Sequence, residues 1–267
     1  MIDKRIALQE AAELVQSGQT LALGGLTLYR RPISFVWALL RRYLSSGEPQ
    51  GLTLLAFTAG LESDLLVGSG MIKTIRSCYF GLEIFGLAPM FTYLANRGEV
   101  DIMEETEASL AFGLRAQLAG LNFMPGRGWL GTDLPKLRPD VKTICDPYSG
   151  ETLMAFPAIQ PDVAIIHALQ ADPAGNAMIG KNRAIDVELT MTAKTVIVTA
   201  EEIVPELDQA DLVAPWVHAV VLAPRGAAPT SCHPYYPMDG EAVMGYSEQV
   251  SDPKSWSVYV RTRIDQG

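Results

Sequence analysis

A short apolar run, Thr20-Leu21-Ala22-Leu23, leads straight into Gly24-Gly25, and Arg30-Arg31-Pro32 closes the same stretch. Two glycines allow a sharp turn and let a ligand come close to backbone N–H groups. A helix opening at Pro32 adds the positive end of its dipole, which makes the stretch a ready anion or oxyanion site. Glu104, Glu105 and Glu107 follow a second strand-like run. A carboxylate at a strand end can act as general base or orient a substrate. Thr132-Asp133, in a glycine-rich middle, sets a hydroxyl beside a carboxylate. Each group also has a plainer reading. The glycine pair suits an ordinary turn, Arg30-Arg31 a solvated basic pair, and Thr132-Asp133 a loop. Glu105 and Glu107 suit helix-start charges behind a Thr106 cap. His167, ending an apolar strand, reads as a satisfied core residue, Asn176 as the shaper of its own turn, and Arg41-Arg42 as a polar helix face.

Other chemistries lack their motifs. There is no G-x-G-x-x-G dinucleotide fingerprint, no Walker A sequence and no G-x-S-x-G nucleophile elbow. Cys78, Cys145 and Cys232 are odd in number and far apart, so neither a disulfide framework nor a metal site is expected, and reduced thiols in cytoplasm are. A net charge of -9 makes nucleic acid and anionic lipid poor partners. No signal peptide is expected from Met1–Arg5 and the helix-like stretch after it, and no apolar run approaches membrane-spanning length. At 267 residues, 48% hydrophobic and 19% charged, the chain has enough apolar residues for a sizeable core and reads as a single domain, 1–267.

The elements that must position these residues follow from periodicity. Helical spacing is expected from Ala7 to Val15, over Ile33–Leu44, Glu62–Val67, Ala88–Ala95, Glu107–Leu118 and Ala184–Lys194, and in two short helices between Gly240 and Arg263 broken at Asp252-Pro253. Strands are expected at Thr20–Leu23, Leu52–Phe57, Ile72–Phe80, Val100–Met103, Val163–Ala168, Thr195–Thr199 and Ala219–Leu222. The Gly- and Pro-rich stretch 122–161 reads as loops and short strands. Alternation of this kind predicts an α/β fold, an open, mostly parallel sheet with helices on both faces.

Ser17-Gly18, two residues, an apolar triplet, Gly24-Gly25 and then Pro32 resembles the signature of the α (A) subunit of family I coenzyme A transferases. Ser17, Leu26 and Arg30 depart from it, standing where the family carries an acid or amide, a Phe and a Gly. Further stretches resemble glutaconate-type A subunits: Leu121-Asn122-Phe123-Met124-Pro125, Gly131-Thr132-Asp133-Leu134, Asp146–Glu151, Pro161–His167, Gly175-Asn176 and Thr199–Val204.

The resemblance implies a CoA-transferase-like fold and transfer of CoA between carboxylic acids, on a dicarboxylic (glutaconate-like) or 3-oxo acyl-CoA. A glutamate attacks the thioester, giving an anhydride and then a glutamyl-CoA thioester. That glutamate belongs to a B (β) subunit, in a Ser-Glu-Asn-Gly motif absent here, where Ser247-Glu248 continues as Gln249-Val250. The chain is therefore expected to be half of an α2β2 or larger heteromer, with no tightly bound cofactor and coenzyme A thioester as substrate. Its implied share is Glu104 in a supporting catalytic role and the Gly25 and Leu26 N–H groups as oxyanion donors, with Gly24, Arg30, Arg31, Thr132 and Asp133 binding substrate. Acyl-CoA hydrolysis and glutaconyl-CoA-type decarboxylation on the same scaffold are alternatives. A non-catalytic metabolite-sensing module is a third, without a DNA-binding motif to support it.

Overall fold

The computed structural model describes residues 2–266, and its strands form where the apolar runs lie. The first half alternates: α1 (Leu8–Glu13), β1 (Thr20–Leu23), α2 (Ile33–Ser46), β2 (Leu52–Ala56), α3 (Leu61–Ser69), β3 (Ile72–Ser77), α4 (Pro89–Ala95), β4 (Asp101–Glu104) and α5 (Glu107–Leu118). Next come β5 (Phe123–Gly126), α6 (Leu134–Leu137), β6 (Lys142–Cys145) and β7 (Thr152–Pro157). The remainder is β8 (Val163–Ala171), β9 (Ala177–Met178), α7 (Asp186–Thr192), β10 (Thr195–Ile203), β11 (Ala219–Leu222), α8 (Gly240–Gln249) and α9 (Pro253–Gln266). Pro32 is the residue before α2 and not part of its first turn. Arg42 does not simply face solvent: its Nη1 donates to Ala12 O and Val15 O, each at 2.6 Å, and closes the end of α1.

The main sheet runs β11-β10-β8-β1-β2-β3-β4, every neighbouring pair parallel, with β9 turned back along β8. Its central strands are apolar on both faces because both faces are covered. Leu21, Leu23, Val163, Ile165 and Ile197 join one core with α1, α2, α3, α8 and α9. Ala22, Ala164, Ile166, Val196 and Val198 join another with α5 and α7. Strand order reverses between β1 and β8, so the carboxyl end of β1 is the place where an open α/β sheet offers a crevice.

The stretch read as loops and short strands closes into a three-stranded antiparallel sheet, β5-β7-β6, beside α5. This flap has a core of its own, Trp129, Val141, Met154 and Phe156 with Phe112 and Leu134 against them.

Candidate active site at the carboxyl edge of the sheet

The loop after β1 occupies the crevice with its own side chains. Gly25 has a φ of 86° and a Cβ there would lie 2.7 Å from the carbonyl oxygens of Tyr29 and Arg30, so the turn requires glycine. A Cβ on Gly24 would meet Ile166 at 2.5 Å and Asp186 at 2.8 Å, which packs the turn tightly on β8 and α7. The expected oxyanion donors are both engaged: Gly25 N–H donates to Asp186 Oδ1 at 2.9 Å and Leu26 N–H to Tyr29 O at 3.1 Å. Asp186 is the anion that this glycine turn holds. Its other oxygen accepts Arg30 Nη2 at 2.9 Å, and Arg30 also donates to His167 O and Asn182 O, each at 2.7 Å. Arg30 tolerates the left-handed φ of 52° at the position where the family carries Gly because these bonds over-determine it.

Both arginines expected to meet substrate are fully buried. Arg31 is paired with Glu62, which also accepts Ser63 Oγ at 2.5 Å and Gly60 N–H at 3.1 Å. Arg31 Nε and Nη1, Arg30 Nε and Glu62 Oε2 have no protein partner. The signal for this pairing was not local: Asp186 lies 156 residues from Arg30, and Glu62 31 from Arg31.

The carboxyl end of β4 divides its acids. Glu104, level with Ser77 of β3, is exposed, and no side chain among the described residues bonds its carboxylate. Glu105, read as a helix-start charge, is instead buried: Oε1 accepts Arg76 Nε at 2.6 Å and Arg138 Nη1 at 2.8 Å, and Oε2 accepts Ser109 Oγ. Thr106 caps α5 as expected, accepting Ser109 N–H at 3.1 Å, with Glu107 in the first turn. Thr132 and Asp133 are exposed on the flap; Thr132 Oγ1 donates to Trp129 O at 2.9 Å, and Asp133 accepts Lys136 Nζ at 2.5 Å. Cys78, just beyond β3, has its thiol pushed up to about 11 by burial and by the charge of Glu107. Sequence reading missed Arg76 and Arg138, whose types carried no spacing signal.

His167, Glu201 and Cys232 bring nitrogen, oxygen and sulfur within 4.8 Å of one another, the donor types a divalent ion takes. The hydrogen bonds of His167 and Glu201 are complete without one. His167 Nδ1 meets Thr199 Oγ1 and Nε2 meets Glu201 Oε1, each at 2.8 Å; Glu201 also accepts Tyr236 O–H and, at 2.5 Å, Arg225 N–H. Burial holds His167 below its ordinary value, so the ring is a neutral core residue. Burial acts to raise Glu201, but the bonds from His167 and Tyr236 outweigh it and hold the carboxyl low. Asn176 shapes its turn, donating Nδ2 to Asp172 at 2.7 Å.

The family model described as "Coenzyme A transferase" matches residues 5–221. The A-type chain of the 3-oxoadipate CoA-transferase of Pseudomonas knackmussii is 31% identical over 96% of this chain and 91% of its own. The cholesterol ring-cleaving hydrolase IpdA subunit of Mycobacterium tuberculosis is 30% identical over 99% of this chain and 94% of its own. The crystal structure of glutaconate coenzyme A-transferase from Acidaminococcus fermentans superposes with a TM-score of 0.88 at 30% identity, covering 97% of this chain and 88% of that one. An uncharacterized protein of Archaeoglobus fulgidus, 34% identical over 92% of this chain, is longer, and the match spans 56% of its length.

Proposed function

The chain belongs to the coenzyme A transferase family, and on that premise we propose that it is the A half of a two-chain acyl-CoA:carboxylate CoA-transferase. The carrying observation is Glu104, a carboxylate without a partner among the described residues at the carboxyl edge of a parallel sheet, while Glu105 beside it is fully engaged. The acyl group in this reading is dicarboxylic (glutaconate-like) or 3-oxo, as the similarity to glutaconate and 3-oxoadipate transferases suggests. Coenzyme A enters as the thioester substrate.

The nucleophile comes from a B-type partner. Its glutamate attacks the thioester carbonyl, the C–S bond breaks, and CoA thiolate leaves with the electron pair. CoA thiolate then attacks the glutamyl carbonyl of the anhydride and releases the first acid. The incoming carboxylate repeats both steps in reverse order. Glu104 orients the acyl group or accepts a proton at its carboxylate oxygen. The Gly24-Gly25 turn, Arg30 and Arg31 support the edge from beneath and do not touch substrate. Their internal bonds to Asp186 and Glu62 support this reading. Oxyanion donors come from outside the Gly25–Leu26 pair. Thr132 and Asp133 bind substrate from the flap.

A second reading, acyl-CoA hydrolysis, is favoured by the same unpaired carboxylate, since it could activate a water, and by similarity to the IpdA chain. Incubating the co-expressed chains with acyl-CoA and acetate separates the two: transfer yields acetyl-CoA, hydrolysis yields free CoA. Glu104→Ala should depress the rate in either case without loosening assembly, and an unchanged rate removes the role given to Glu104.

A further inference from the structure

The segment that follows β4 is held from outside its own element. Glu104 O accepts Arg138 Nη1 at 2.8 Å, and Glu105 Oε1 accepts the same Nη1 at 2.8 Å. Thr106 Oγ1 accepts the indole N–H of Trp129 at 3.0 Å. Three consecutive residues are thus fastened to two side chains of the flap, and Arg76 of β3 grips Glu105 from the sheet side. The two flap residues are themselves fixed. Arg138 donates Nε and Nη2 to the two oxygens of Asp140, each at 2.8 Å, and its guanidinium lies 5.7 Å from the Trp129 ring. Trp129 is fully buried and meets Phe156 edge to face at 5.3 Å.

We propose that Arg138 and Trp129 are positioning residues for the Glu104 carboxylate, locking residues 104–106 so that this one side chain is presented from a rigid backbone. The inference rests on the role given to Glu104 above. Burying Glu105 between guanidinium groups is a costly way to fill space, and an apolar residue would stabilise the same packing at least as well. What the charged arrangement adds is a fixed direction for each bond, and Arg138 spends one of its donors on the Glu104 carbonyl itself. Thr132 N–H and Oγ1 both bond Trp129 O, so the Thr132-Asp133 loop is carried on the same body. Two groups distant in sequence are thereby held in one frame.

The test uses the two-chain enzyme with three variants. Arg138→Lys keeps the cation beside Glu105 and loses the fork, Trp129→Phe keeps the bulk and loses the indole N–H, and Glu104→Gln is the reference. For the first two, kcat should fall about ten- to a hundredfold with KM for acyl-CoA unchanged, as a misplaced reacting group predicts. The acid limb of the pH–rate profile should move with it. In the chain alone, amides of residues 104–108 should exchange faster in both variants. If Glu104→Gln is impaired while Arg138→Lys and Trp129→Phe keep wild-type kcat, pH profile and exchange, the positioning role is wrong and Glu104 stands. If Glu104→Gln itself turns over normally, the reading of Glu104 falls first and this inference with it. If KM rises with kcat unchanged, the pair serves binding and the proposal is overturned.

Discussion

At Gly25 the backbone leaves no room for any other residue, with φ at 86° and two carbonyl oxygens 2.7 Å from where a Cβ would stand. Gly25→Ala should lower stability by about 1–3 kcal/mol, read by chemical denaturation, and a wild-type midpoint would contradict the geometry. The buried ion pair beside it behaves differently. Arg31→Met strands Glu62 in the core and should cost about 3–5 kcal/mol, whereas Arg31→Met with Glu62→Leu should recover most of the loss. A double-mutant cycle measures this, and additive losses would contradict it. The thiols give a third check. Cys145 is exposed, whereas burial pushes Cys78 up to about 11 and Cys232 up to about 12. A thiol reagent at pH about 8 should label Cys145 rapidly, the half-buried Cys78 more slowly and the buried Cys232 only on unfolding. Local sequence placed the glycine turn and the Thr106 cap. It did not reveal that Arg30, Arg31 and Glu105 are buried and paired within the chain, because what a charged side chain meets here depends on partners brought up from distant elements.

Strands were legible wherever both faces are buried. β1 and β11 lie on their expected residues, and β8 and β10 begin where expected and run on to Ala171 and Ile203. Turn residues bound apolar runs, and a run apolar on both faces needs two covering layers. The flap was not legible as a sheet. β5 and β6 are four residues each and largely exposed, so no alternation marks them, and the pairing with β7 is set by a core of Trp129, Met154 and Phe156. At this scale the Asp186 bridge between α7 and the β1 loop is the sensitive contact. Asp186→Ala leaves Arg30 buried without its carboxylate and Gly25 N–H without an acceptor. Stability should drop by about 3–5 kcal/mol, measured by denaturant unfolding, and a loss under about 1 kcal/mol would show that the crevice is held by packing alone.

Across the whole molecule, the glycine turn after β1 and the Glu104–Glu105 pair at the end of β4 lie at the carboxyl edge of one parallel sheet. His167 and Glu201, which tie β8 to β10 near that edge, also contribute to its acid sensitivity. Both have folded values below their ordinary 6.5 and 4.5, so the folded state binds fewer protons there than the unfolded chain. The stability they contribute is present above those values and is lost as pH falls, first below about 6.5 and then below about 4.5. Denaturation midpoints measured against pH should fall in that order, and His167→Gln should flatten the upper part of the slope. Because burial raises Asp64 to about 6 and works in the opposite direction, the comparison is with the variant: a His167→Gln profile parallel to wild type between pH about 5 and 7 would contradict it. The central claim, that this chain is half of a transferase, is tested most directly by an acyl-CoA:acetate transfer assay with borohydride trapping. It is run on this chain, on a co-expressed B-type chain and on their mixture. Acetyl-CoA should form in the mixture alone, with the trapped modification on the partner's glutamate. Turnover by this chain alone, or an adduct on one of its own carboxylates, would contradict it.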